Sequence, residues 1–140
     1  MTDATKIFAP VRQDVAGKVI DGEAIIMNLT NGAYYSVDAV GAVVWQWIDE
    51  EQPIGTIVER LQTAFPASSD VIARDLDVLL SQMMSDGLVQ EGSSGFPSPV
   101  DASLKIPATY TMPTLNKYTE MADLLALDPP MPSIGSRPGA

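Results

Sequence analysis

Few side chains in this sequence could do covalent chemistry. The 140 residues include no His and no Cys. That removes imidazole bases, thiolate nucleophiles, disulfides and most transition-metal sites. Carboxylates remain: eighteen Asp/Glu stand against eight Lys/Arg. The densest groups are Asp75/Asp77 and Asp49/Glu50/Glu51. Neighbouring positions on a helix point apart, and no second cluster faces either group, so both read as solvated helix faces. Gly92 and Gly95 follow no buried strand and precede no Lys-Ser/Thr pair, so no phosphate loop is expected. Met83 and Met84 read as core filling and adaptable apolar surface. The sequence therefore predicts no enzyme, no catalytic residue, no metal site and no cofactor.

Peptide recognition is a chemistry these residues can support. Residues 33–37 alternate between Ala33/Tyr35/Val37 and Tyr34/Ser36 and carry no Lys, Pro or protective charge. A strand of this kind at a sheet edge can accept an extended peptide as a further strand. Val71 and Val78 lie seven apart, with Arg74 between them, off the main inward stripe of a later helix. That second strip could floor a groove beside the edge. The expected contacts to a bound peptide are Tyr34, Tyr35, Ser36, Val71, Arg74 and Val78. The valines would take apolar anchors, and Arg74 would meet an acidic or carbonyl group. Far downstream the same chain holds Tyr110-x-x-Pro113-x-Leu115, followed by Tyr118, Met121, Leu124 and Leu125 at helical spacing.

The elements that must position these residues follow from turn signals and periodicity. Asp21-Gly22 and Asn31-Gly32 are pairs suited to type I′ turns. They separate three β-branched and aromatic runs, which predicts a three-stranded antiparallel meander at 15–20, 23–29 and 33–37. The period then lengthens to 3.6 residues. Asp38 is placed to cap a helix over 39–49 with Val40, Val43, Val44, Trp47 and Ile48 on one face. Ile54, Ile57, Val58, Leu61 and Phe65 make a second stripe, which starts after Pro53 and stops at Pro66. Ile72, Leu76, Leu79, Leu80 and Met83 make a third, closed by Gly87. Leu88-Val89-Gln90 could add a short strand. The class is α+β and winged-helix-like, a meander followed by three helices, with a flexible C-terminal tail.

The organisation expected is an N-terminal arm over 1–14, a peptide-binding domain over 15–91 and a flexible linker over 92–109. A leader-like segment over 110–128 and a disordered tail over 129–140 would follow. Gly92–Pro99 is linker material, and Pro129-Pro130 ends the last helical stretch. No basic start precedes an apolar run, and no stretch of about 18 apolar residues exists. The expectation is a cytoplasmic protein without a membrane partner. Residues 1–91 carry fourteen acidic side chains against five basic ones. The third helix sets Asp70, Asp75, Asp77 and Asp86 against Arg74. Such a surface repels phosphate backbones, so nucleic acid is excluded as a partner.

Residues 15–90 resemble the PqqD-like RiPP recognition element, the leader-binding peptide chaperone of quinone-cofactor and lasso-peptide pathways. The matching runs are Asp21-Gly22-Glu23-Ala24, Asn31 through Ala42, Trp45, and Met84-Ser85-Asp86-Gly87-Leu88-Val89. The resemblance implies a βββααα fold, no catalysis, and a leader paired with the third strand against the third helix. The tail from Pro113 to Pro129 resembles the leader part of lasso-type precursors, whose Tyr, Pro and Leu anchors carry over to Tyr110, Pro113 and Leu115. It departs from them at Tyr118-Thr119, where such leaders place Gly, and nothing after Asp128 is acidic.

The function expected is a non-catalytic module that binds a leader by strand addition and presents it to a RiPP-modifying enzyme or leader protease. The alternative is a fused precursor whose own tail is the leader. An acidic winged-helix regulator is the third reading. In the fused case the tail would dock in cis, or by exchange between two chains, with 110–115 as the added strand and 117–127 as a docked helix.

Overall fold

The chain was described by a computed structural model covering residues 5–101 and 104–118. In order along the chain it contains β1 (Phe8–Pro10), β2 (Val15–Ile20), β3 (Glu23–Asn28), β4 (Tyr34–Asp38), α1 (Val40–Asp49), α2 (Ile54–Ala64), α3 (Ser69–Ser85), β5 (Val89–Glu91) and β6 (Asn116–Tyr118). The fold is α+β. The expected meander is present as β2-β3-β4, and β6 is added at its far edge.

The first hairpin follows from its turn. Asp21 and Gly22 take φ of 52° and 78°, both positive as a type I′ turn requires. This fixes the register from Val15↔Asn28 to Ile20↔Glu23. The second connection differs from the two-residue turn expected. Of Asn31-Gly32, Gly32 takes positive φ, at 75°. Asn28 organises a longer loop, its Oδ1 accepting the backbone N–H groups of Thr30 and Asn31. Asn31 Oδ1 accepts from Ala33.

Alternation along β3 and β4 turns Ala24, Ile26, Tyr35 and Val37 into the core. Helix α1 packs across β2, β3 and β4, while α2 and α3 pack on each other. One continuous core joins them around Trp45, Tyr35, Leu61, Leu76 and Met83. Gly17 lets β2 cross the Trp45 ring, since a Cβ there would stand 2.6–2.8 Å from three indole atoms.

Several expectations change. The segment expected as an arm over 1–14 contains β1, with Phe8 and Ala9 buried, paired antiparallel to β5. Asp38 does not cap α1. It ends β4 opposite Glu23, and Ala39 holds the N-cap position at φ 52° without a side-chain bond. The acidic cluster after α1 is not a solvated face. Glu50 and Glu51 are buried, and with Asp49 they hold the start of the segment read as a flexible linker. Arg12 donates to Asp49 Oδ1 at 2.7 Å and to Glu51 Oε2 at 3.2 Å. Ser93 and Ser94 donate to Glu51, and Ser98 Oγ donates to Asp49 Oδ2 at 2.9 Å. Burial pushes the Glu51 carboxyl up, but the bonds from Ser93, Ser94 and Arg12 outweigh it and hold the group below its ordinary value.

Candidate functional site

Strand β4 has β3 on one side. Its other edge takes β6 antiparallel, with Tyr34 opposite Tyr118, Tyr35 opposite Lys117 and Ser36 opposite Asn116. The chain's own tail thus completes a four-stranded sheet. The added strand is Asn116–Tyr118, not 110–115 as expected. Pro113 lacks the N–H a ladder needs, so pairing begins beyond it. Tyr118 lies in this strand and not in the helix expected over 117–127. Met121, Leu124, Leu125 and the rest of 119–140 lie outside the described residues.

Ahead of β6 the tail sets three side chains against the domain. The Tyr110 ring packs on Phe65 with centroids 5.6 Å apart, and its hydroxyl donates to Asp75 Oδ2 at 2.6 Å. Burial, reinforced by the Asp75 carboxylate, raises the Tyr110 phenol well above its ordinary value. The group therefore stays protonated and remains a donor. Pro113 is buried and lies beside Gly41 on α1, where an added Cβ would stand 3.4 Å from Pro113 Cβ and 2.9 Å from Val37 Cβ. Leu115 is partly buried against the core. Tyr110, Pro113 and Leu115 therefore face α3, α1 and the core in turn.

Beside these anchors, Lys117 Nζ lies 3.8 Å from Asp86 Oδ1 and 5.8 Å from the Tyr35 ring centroid. Burial and the nearby Asp86 carboxylate raise the Tyr35 phenol, and Lys117 offsets part of that rise. Asn116 Nδ2 donates to the Ser36 carbonyl at 3.4 Å.

Of the groove residues read from the sequence, Tyr34, Tyr35 and Ser36 form the strand that β6 joins. Val71, Arg74 and Val78 lie on α3. Val78 is 40% exposed, and Arg74 Nε stands 3.8 Å from Asp75 Oδ1, so its charge bears on the carboxylate that meets Tyr110. Sequence reasoning missed Asp75, Phe65, Gly41 and Asp86. Asp75 carried a usable signal: it is three residues after Ile72 and four before Leu79, on the border of the inward stripe. Its residue is 5% exposed, and a buried carboxylate needs a donor. Among the described residues no group of three or more His, Cys, Asp or Glu could hold a metal ion, and no helix is long and apolar enough to cross a membrane.

Residues 23–89 match the family described as Coenzyme PQQ synthesis protein D (PqqD). The chain carries a PqqD-like domain. That domain runs from β3 into β5, so the matched residues include the edge strand, all three helices, Asp75 and Asp86. A solved structure titled TbiB1 in complex with the TbiA(beta) leader peptide is similar at 26% identity and a TM-score of 0.52. The similarity covers 55% of this chain and 90% of that one. No curated protein matches the sequence.

Proposed function

We propose that the PqqD-like domain binds a leader peptide of a ribosomally made, enzymatically modified product, without catalysing anything itself. The peptide adds as a strand on β4 and is presented to a modifying enzyme or leader protease on another polypeptide. The reading rests above all on strand β6, an extended segment seated on the β4 edge with Tyr110, Pro113 and Leu115 set into the adjoining surface. The solved relative in complex with a leader peptide supports the same use. Backbone bonds to β4 would supply affinity that tolerates sequence changes, and the contacts at Asp75, Gly41 and the core would supply selectivity.

The same strand favours a second reading, in which the tail is itself the leader. The segment is tied down as far as Asp101, whose backbone N–H donates to Glu50 Oε2 at 3.0 Å, so eight residues lie between that anchor and Tyr110. A random-coil tether of that length has a root-mean-square span of roughly 16 Å. It holds the tail near its own groove at an effective concentration of order millimolar.

The strip of half-buried Val71 with exposed Arg74 and Val78 is assigned to side chains of a leader lying along α3. Burying one apolar anchor is worth roughly 1.5–3 kcal/mol. Val78→Asp should therefore weaken binding of a leader peptide to the chain shortened after Asp101 at least tenfold, measured by fluorescence anisotropy. Unchanged affinity in a properly folded variant would remove that strip from the site.

A further inference from the structure

The row of tail side chains turned toward the domain does not end at Leu115. Alternate residues of an extended segment point the same way. Pro113 is buried and Leu115 is partly buried against the core. Two residues further on, Lys117 stands opposite Tyr35, whose side chain lies in the core. Residues opposed in a ladder put their side chains on one face, so Lys117 also turns toward the helices. There its Nζ lies 3.8 Å from Asp86 Oδ1 and 5.8 Å from the centre of the Tyr35 ring.

The domain's side of this contact is negative by construction. Asp86 is the C-cap of α3, and its backbone N–H bonds the Gln82 carbonyl at 3.1 Å. A helix C-terminus favours a nearby cation, yet the last turn of α3 holds no basic residue. The helix ends on a half-buried carboxylate instead, which adds to the negative pole. Lys117 brings from the tail the cation that this turn lacks. The Tyr35 ring offers a second attraction, since a cation within about 6 Å of an aromatic face is drawn to it. Lys117 also hydrogen-bonds the Tyr35 hydroxyl. Burial and Asp86 hold that phenol above its ordinary value, so Tyr35 stays neutral and Asp86 is the anion here.

We propose that Asp86, the Tyr35 ring and the C-terminus of α3 form a further subsite of the groove, one that selects a Lys or Arg two residues beyond the Leu anchor of the bound peptide. Tyr, Pro and Leu anchors set the register, and the cation at this position distinguishes peptides that share them. A carboxylate there would face Asp86 and the negative end of α3 together. The subsite rests on the reading of the β4 edge as a leader site.

Charge exchange in the intact chain tests it. Amide hydrogen exchange over residues 34–36 and 116–118 reports how often β6 leaves β4. Lys117→Met should quicken that exchange about threefold, the size expected of a partly exposed ion pair. Lys117→Glu should quicken it at least roughly tenfold, because repulsion replaces attraction. Lys117→Arg should match wild type, and Asp86→Lys/Lys117→Glu should return close to it, a rescue that packing alone would not give. The intact Lys117→Glu chain, its edge freed, should then bind a labelled peptide of residues 107–118 at least tenfold more tightly than the same peptide carrying Lys117→Glu. Equal exchange in all the variants, or no rescue by the double exchange, would overturn the subsite. Equal binding of the two peptides would also overturn it and leave the leader reading standing, whereas no binding of either would overturn both.

Discussion

The Tyr110 hydroxyl reaches the Asp75 carboxylate across 2.6 Å, joining the tail to the middle of α3. Asp75 is buried and projects from the border of the helix's inward stripe. The bond therefore fixes where the tail lies and gives a buried carboxylate the donor it requires.

Tyr110→Phe keeps the ring contact with Phe65 but leaves that carboxylate without the phenol. Losing one partner of a buried pair costs about 1–3 kcal/mol, or roughly 5- to 150-fold in affinity. The loss should appear by calorimetry when wild-type and Tyr110→Phe forms of a peptide spanning residues 107–128 bind the chain shortened after Asp101. Asp75→Asn, which can still accept from the phenol, should retain most of the affinity. Because the Tyr110 phenol is raised, the bond is fully available below the ordinary tyrosine value of 10.0 and should be lost only as pH rises well beyond it.

Gly41→Ala would ordinarily help a helix by roughly 1 kcal/mol. Here the added methyl meets Val37 Cβ at 2.9 Å and approaches Pro113. Neither neighbour is the free end of a flexible side chain, so steric cost should outweigh helix propensity. The expected result is a lower melting temperature for the intact chain and weaker binding of a Pro113-containing peptide to the shortened one. A melting temperature above wild type would show that the backbone absorbs the methyl.

The clasp around Glu51 should fail in acid. Its carboxyl is held below the ordinary value of 4.5, so its contribution is fully present above that pH. It is lost as pH falls through the lower value of the folded protein. Thermal melts between pH 6 and about pH 3 should show a steeper loss of stability for wild type than for Glu51→Gln. Hydrogen exchange over residues 92–98 should quicken in the same range. Parallel curves for the two proteins would count against the clasp.

The meander and the helices were legible because local signals agreed. Asp21-Gly22 fitted its turn, strand alternation matched burial, and three apolar stripes marked three helices. What stayed hidden depended on long-range pairing. The run Phe8–Pro10 has no periodicity to read, and it becomes a strand because Val89–Glu91 returns beside it. Asp49, Glu50 and Glu51 look solvated until Arg12, Ser93, Ser94 and Ser98 arrive from either end of the chain. The edge strand and the Tyr110-x-x-Pro113-x-Leu115 spacing could be read separately. Their register could not, because it depends on where Pro113 lets pairing start. Asp75 was overlooked because a carboxylate beside an apolar stripe usually faces water, and its partner lies 35 residues away.

The central claim is that the β4 edge is a peptide site filled by this chain's own tail. Titrating a labelled peptide of residues 107–128 against the intact chain and against the chain shortened after Asp101, which keeps the Ser93, Ser94 and Ser98 bonds, tests it most directly. The shortened protein should bind at micromolar or tighter affinity and the intact protein at least tenfold more weakly, because its groove is occupied. Equal affinity for both forms, or no binding to a folded shortened chain, would contradict the account.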